Sequence, residues 1–244
     1  MTTGETASTA WGAIYAQLRA AIDGGALRTG DRLPTEAALA QQHGVNRHTV
    51  RRALAALAAE GAIWVRRGSG AYVAEGRLDY PLGDRVKFTP IIRAIGRSPV
   101  RRVLEADVRA PEAAVAQALR LRTGRSAIRI AMLSLVDDLP IAHVEHYFPE
   151  HRFPALQDAV RETGSVTAAL ARYGVSDYVR AWTRVAAIRP SRDIAALLGQ
   201  AEIEPVLRAE ALNRDMAGEP IEYAIGQWAA TRAQFVIGAG FDGR

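Results

Sequence analysis

The chain has 244 residues, 49% of them apolar and 23% charged, enough for one large or two ordinary globular domains and too apolar for a disordered chain. It contains no cysteine, which excludes disulfides, thiolate metal sites and cysteine nucleophiles. The formal charge of +5 is carried almost wholly by arginine, with Lys87 the only lysine; it suits a polyanionic partner without requiring one.

No apolar run approaches the length of a membrane span, and residues 1–10 are polar, with no charged-then-apolar export pattern. A disordered N-terminus and a cytoplasmic location, with no membrane partner, are the expectations. Trp11, Ile14, Tyr15, Leu18 and Ile22 then recur at helical spacing, and Gly24-Gly25 ends that helix. Thr35 can N-cap a second helix, anchored inward by Leu39 and stopped at Gly44. Asn46 can cap a third, which runs to about Glu60 and stops at Gly61.

At about 100° per residue, Val50, Ala53, Leu54 and Leu57 fall on one side of the third helix. Arg47, His48, Arg51 and Arg52 form an arc on the other. Like charges one turn apart cost a little in an isolated helix, a cost that a facing polyanion offsets. A solvated basic face is the plainer reading, but such faces usually mix signs, and no acid interrupts this one before Glu60. Ile63-Trp64-Val65 and Ala71-Tyr72-Val73 read as strands around the tip Arg66-Arg67-Gly68-Ser69-Gly70, which can bring guanidinium and backbone groups against phosphates. The expected partner of residues 11–75 is double-stranded DNA.

These residues also carry a resemblance. Leu33-Pro34-Thr35-Glu36, Leu39-Ala40, Gly44-Val45-Asn46-Arg47, Thr49-Val50-Arg51, Ala53-Leu54, Leu57, Gly61, Gly68, Gly70 and Tyr72-Val73 together resemble the winged helix–turn–helix of GntR-type bacterial transcription regulators. The resemblance implies DNA contacts at Thr35, Arg47, Thr49, Arg51 and Gly68-Ser69-Gly70. His48, Arg52 and Arg67 complete the candidate set. Ala37 stands where many members carry an arginine, so that contact is absent or supplied elsewhere, by His48 or Arg52.

Residues 76–87, rich in charge and glycine, read as a linker to a second domain over 88–244. Thr89-Pro90 looks like a helix start, a capping hydroxyl followed by proline. A strand is expected over 104–108, a small helix over 111–122, and a hairpin of 127–136 with 141–148 turning at Asp137-Asp138. Helices at 153–162 and 165–173, a strand at 178–188 and a helix at 191–198 follow. A second hairpin, 206–215 with 221–228, and a last strand at 233–237 complete an α+β domain with an antiparallel sheet.

This half resembles the effector-binding and dimerisation domain of the HutC branch of the same family, with its chorismate-lyase-like fold. The carriers are Leu135-Val136-Asp137-Asp138-Leu139-Pro140, Tyr147-Phe148-Pro149, Trp228, Thr231-Arg232 and Gln234-Phe235. A narrower resemblance, to regulators of bacterial phosphonate metabolism, rests on Asp79-Tyr80-Pro81-Leu82-Gly83, Arg85, Phe88, Thr183-Arg184-Val185, Pro190 and Gly218-Glu219-Pro220-Ile221-Glu222-Tyr223. It implies a homodimeric repressor that reads a two-fold operator and responds to a small anionic effector such as a phosphonate or phosphate.

Candidate effector residues are Thr89, Ser134, His146, Arg184, Trp228 and Arg232. Thr89 gains from free N–H groups at a helix start, although a plain N-cap needs no ligand. Arg184 and Arg232 are strand-borne cations able either to neutralise an anion or to form ordinary salt bridges. Trp228 reads equally as a pocket aromatic or a core residue, and His146 shares a strand face with Val144. Glu222 could receive a ligand amine or make a structural hydrogen bond. Relatives that bind sugar phosphates place two arginines and a glutamate where Met132, Ser134 and Val144 stand here, so that chemistry is not carried over.

An enzyme and a constitutive architectural DNA-binding protein are the competing classes. No nucleophile–base motif or phosphate-cradling loop appears, and no cofactor is expected. His143 and His146 point to opposite faces of one strand, which argues against a metal centre among His143, Glu145, His146 and His151. Regulation of a different metabolic operon is the alternative within the family.

Overall fold

The computed structural model describes residues 10–28, 30–66, 70–74, 77–85 and 87–238, and it divides the chain into two compact units, Met1–Leu78 and Asp79–Arg244. The first holds α1 (Ala10–Asp23), α2 (Glu36–His43), α3 (Arg47–Ala59), β1 (Ile63–Arg66) and β2 (Gly70–Val73). Local chemistry sets the helix ends. Thr35 Oγ1 accepts from the Ala38 N–H at 3.2 Å and Asn46 Oδ1 from the Thr49 N–H at 2.9 Å, each satisfying an orphan donor of a first turn. Gly44 takes a left-handed conformation, φ 63°, and its N–H closes α2 onto the Ala40 and Gln41 carbonyls.

Ile14 and Leu18 of α1, Leu39 of α2 and Val50, Ala53, Leu54 and Leu57 of α3 form one buried core with Ile63 and Val73 of the wing. Each such large side chain stabilises by roughly 1.5–3 kcal/mol relative to exposure. β1 and β2 are antiparallel, with Trp64 opposite Tyr72 and their rings stacked at 4.5 Å. The Tyr15 hydroxyl donates to Glu60 at 2.8 Å, fastening α1 to the end of α3.

The second fold is built on a six-stranded antiparallel sheet. Its strands are β4 (Pro99–Arg109), β5 (Ala127–Val136), β6 (Leu139–Pro149), β7 (Val179–Ile188), β8 (Val206–Arg214) and β9 (Pro220–Ala229), in the order β4-β5-β6-β9-β8-β7. A separate pair joins β3 (Leu78–Pro81) to β10 (Ala233–Val236), and the helices are α4 (Phe88–Ala94), α5 (Ala113–Ala118), α6 (Leu156–Thr163), α7 (Val166–Ala171) and α8 (Arg192–Leu198). The expected α+β class and both hairpins are present. Asp137 and Asp138 both have positive φ, 48° and 64°, the twist that a two-residue hairpin loop demands.

Three local expectations change. The stretch read as a linker contains β3, because Leu78 and Tyr80 alternate as buried residues on a strand paired with β10. The strand expected at 104–108 begins five residues earlier, at Pro99, and is bulged between Val103 and Glu105. The helix expected over 111–122 is confined to Ala113–Ala118.

Strand pleating assigns the faces. Ile128, Ile130 and Met132 of β5 and Phe148 of β6 pack with α6 and α7. On the opposite face Leu133 and Leu135 meet Leu198 of α8, and Tyr147 and Tyr223 meet Val115 of α5.

Candidate nucleic-acid interface and effector cavity

The start of α3 presents Arg47 and His48 to solvent, with Thr49 half-buried. The Thr49 hydroxyl donates to Asn46 Oδ1 at 3.0 Å, so it also helps to close the cap. Arg51 is exposed, and its Nε donates to Glu36 Oε2 at 2.8 Å. That bond uses one edge of the guanidinium and fixes the direction of the rest. Arg52 lies over the Trp11 ring at 4.6 Å, so the arc drawn by the helical wheel is divided: Arg52 leans on α1, while Arg47, His48 and Arg51 do not. Thr35 is exposed and acts as the α2 cap. Gly70 has φ 115°, and a Cβ there would lie 3.0 Å from Arg32 Nε, so the base of the wing requires glycine. Arg67, Gly68 and Ser69 lie outside the described residues.

The sheet face that carries His146 opens into a cavity of about 100 Å³. Its floor is made of small side chains, Ala209 and Ala211 of β8 with Ala224 and Gly226 of β9. Tyr80, Phe88, Tyr178 and Phe235 close over them, and Trp228 packs against Tyr80 at 4.4 Å and Phe235 at 5.3 Å.

One end is polar and buried. His146 Nδ1 lies 2.5 Å from Glu222 Oε1, and Asn213 Nδ2 donates to Glu222 Oε2 at 2.6 Å. Arg101 Nη2 lies 2.7 Å from His146 Nε2. A guanidinium can only donate, so Nε2 is the acceptor and Nδ1 carries the proton given to Glu222. Burial pushes the His146 pKa down, which keeps the imidazole neutral. Burial alone would raise the Glu222 pKa, but the hydrogen bonds from His146 and Asn213 hold it below the ordinary carboxylate value.

Among the described side chains lining the cavity, Glu222 is the one acid set against Arg101, Arg180 and Lys87, and it is hydrogen-bonded to His146 and Asn213. Arg101 has no carboxylate partner among the described residues, and its Nε is buried without any acceptor. Desolvation lowers its pKa. Arg180 Nε donates to Asn213 Oδ1 at 2.6 Å and Nη1 to Thr183 Oγ1 at 3.2 Å, both neutral groups. Lys87 Nζ stands 5.1 Å from the centre of the Tyr178 ring, and burial pushes that phenol up to about 12.

Ser134, His146 and Trp228 therefore line the cavity as the sequence suggested. Thr89, Arg184 and Arg232 do not. Lys87, not Thr89, is the N-cap of α4, so Thr89 sits within the first turn of a seven-residue helix. Arg184 stacks on Trp182 at 4.5 Å, on the opposite sheet face. A bulge between Arg180 and Trp182 shifts the register, so Arg180 and Thr183, not Arg184, point inward. Arg232 is half-buried and donates to the carbonyls of Pro140 at 2.7 Å, Leu198 at 2.5 Å and Gly199 at 3.0 Å, a structural clasp that uses three of its five N–H groups outside the cavity. Arg101 and Arg180 are the residues that sequence reasoning missed.

A basic recognition helix with a wing, followed by a sheet domain that encloses a small polar cavity, defines a ligand-responsive class of DNA-binding transcription regulator, not an enzyme. The chain belongs to the GntR family: residues 11–73 match the model of bacterial regulatory proteins of the gntR family, and residues 94–234 match the UTRA domain. It is 34% identical over 232 residues to an uncharacterized HTH-type transcriptional regulator of Rhizobium meliloti, covering 93% of each chain. It is also 30% identical to the probable transcriptional regulator PhnF of Escherichia coli, over 86% of this chain and 87% of that one. The crystal structure of PhnF from Mycobacterium smegmatis superposes with a TM-score of 0.62 at 25% identity, covering 94% of this chain and all of that one. Among the described residues no helix is long and apolar enough to cross a membrane.

Proposed function

We propose that this regulator is a homodimeric cytoplasmic repressor of genes for phosphonate uptake or breakdown, released or retained on its operator by a small oxyanion bound in the cavity. The observation that carries the effector half is Arg101. A guanidinium whose Nε is buried without an acceptor and which makes no ion pair among the described residues is costly, and an anionic ligand would remove that cost. The resemblance carried by Asp79-Tyr80-Pro81-Leu82-Gly83 and Gly218-Glu219-Pro220-Ile221-Glu222-Tyr223 supports the phosphonate assignment. On the DNA side, Arg47, His48, Thr49 and Arg51 enter a major groove. Thr35, Arg52 and the wing tip 67–70 contact the backbone. A dimer reads half-sites spaced by roughly one turn of DNA, about 34 Å. The domain limits 11–75 and 88–244 divide these roles, with Tyr80 of β3 and Lys87, both in the intervening stretch 76–87, belonging to the effector cavity.

The test is footprinting of the promoters of phosphonate-transport and phosphonate-degradation genes in the host genome, with and without alkylphosphonates. The expected result is a protected inverted repeat whose protection changes with ligand. Protection that is indifferent to every oxyanion would leave a constitutive DNA-binding protein, and no protection at any such promoter would remove the phosphonate assignment.

A further inference from the structure

The cavity has a charge count and a direction, and together they specify its ligand more narrowly than "anion". Three cations line it, Arg101, Arg180 and Lys87, against one carboxylate, Glu222. With His146 neutral, two positive charges are uncompensated. Neither guanidinium is paired with an acid, and the Nε of Arg101 awaits an acceptor.

Glu222 already accepts one hydrogen bond on each carboxylate oxygen. Its Oε1 is taken by His146 and its Oε2 by Asn213, and the side chain is buried among the strands at 4% exposure. An ammonium group that sought its remaining lone pairs would enter beside Arg101 and Arg180. Like charges brought that close in a poorly solvated site repel strongly.

The direction comes from β9. Glu222, Ala224, Gly226 and Trp228 alternate onto the cavity face, and at about 3.3 Å per residue they run from the charged end to the aromatic end. Ala224 lies opposite His146, which holds Arg101, while Gly226 lies opposite Val144 and Ala209. Beyond the charged end the walls are mostly apolar, Val144, Ala209, Trp228 and Phe235, with Ser134 in register with Trp228 through Ala142 and no carboxylate to receive an amine. The room there depends on Gly226: a Cβ at that position would stand 2.7 Å from Trp228 Nε1 and 3.5 Å from Val144 Cγ2.

We propose that the ligand is a doubly charged oxyanion bearing a short apolar tail, with the head between Arg101 and Arg180 and the tail over Gly226 against Trp228, and that the site discriminates against ammonium-bearing analogues. This rests on the reading of the cavity as an effector site. It assigns Arg101 and Arg180 as head-group ligands, Glu222 and His146 as the residues that position Arg101, and Gly226 as the determinant of tail length.

Calorimetry on the full-length native protein, at a pH above the second ionisation of the alkylphosphonates, tests it. The probes are ethylphosphonate, its monomethyl ester, propylphosphonate, 2-aminoethylphosphonate and inorganic phosphate. Ethylphosphonate is expected to bind at least about tenfold more tightly than the singly charged monoester, and propylphosphonate at least about tenfold more tightly than the similarly sized amino compound. In Gly226→Ala, the advantage of ethylphosphonate over inorganic phosphate is expected to vanish while phosphate affinity holds. An amino compound that binds as well as propylphosphonate, or a monoester that binds as well as the dianion, overturns the proposal and leaves the effector reading standing. Silence from all five overturns both.

Discussion

Arg51 is the residue at which base reading and simple attraction to phosphate can be separated. Its Nε is committed to Glu36 at 2.8 Å, which leaves the two terminal nitrogens as a fork able to meet O6 and N7 of a guanine. A contact of that kind contributes about 1–3 kcal/mol of discrimination, so Arg51→Ala is expected to weaken operator binding between roughly 5-fold and 150-fold. The ion pair itself is exposed, with side-chain accessibilities of 65% and 37%, so its loss costs folding no more than about 1 kcal/mol. The assay is fluorescence anisotropy at one fixed salt concentration, with an operator duplex and a scrambled duplex in parallel, and with the melting temperature as a control. Operator affinity should fall while scrambled-DNA affinity moves little. Equal losses on both duplexes would mean that Arg51 touches phosphate, and no loss on either would remove α3 from the groove. Glu36→Gln should give a smaller loss of the same kind, because an amide oxygen still accepts from Nε without fixing the fork as firmly.

Two further outcomes are expected. Arg232→Met should destabilise the second domain by about 3 kcal/mol in urea denaturation, because three carbonyls lose a charged donor, yet leave anion affinity in the folded protein unchanged; a specific loss of affinity would return Arg232 to the effector site. The pH dependence follows from His146 and from His143 on the other sheet face, whose pKa values burial holds below the ordinary 6.5. Below about pH 6.5 the unfolded chain takes up protons that the folded one refuses, so stability should fall as pH drops through that region. His146→Gln should flatten part of this slope, and an unchanged slope in both His146→Gln and His143→Gln would refute the assignment.

The first domain was legible from sequence because its signals are local. Thr35 and Asn46 cap where they stand in the chain, and the three-to-four-residue recurrence of Val50, Ala53, Leu54 and Leu57 names the buried side of α3. The Arg52–Trp11 contact joins residues far apart in sequence, and a wheel drawn for one helix does not contain it. The hairpins of the second domain were legible because Asp137-Asp138 and Ala217-Gly218 are turn pairs between apolar runs. Its cavity was not. Arg101 and Arg102 are adjacent in a strand whose sequence shows no clean alternation, and only pairing with β5 decides that Arg101 turns inward. Family-like surroundings single out Arg184; strict alternation gives it the same direction as Arg180, and nothing in the run Val179–Ile188 announces the interruption. Thr89 was favoured for a cap that the backbone places two residues earlier, at Lys87.

That interruption at Ala181 makes strand β7 two reading frames spliced together. One frame delivers a cation to the cavity, and the other hands an indole and a guanidinium to the outer surface. Substituting side chains along it should be tolerated about as well as in any edge strand, whereas deleting Ala181 would put the two frames back in phase. Arg180 and Thr183 would stay inward and Trp182 and Arg184 outward, because the pairing with β8 already passes over Ala181, and only the local bend of the bulge would be lost. The strand owes its bend to Ala181 but not its choice of faces, and a natural relative one residue shorter there should keep the same inward side chains.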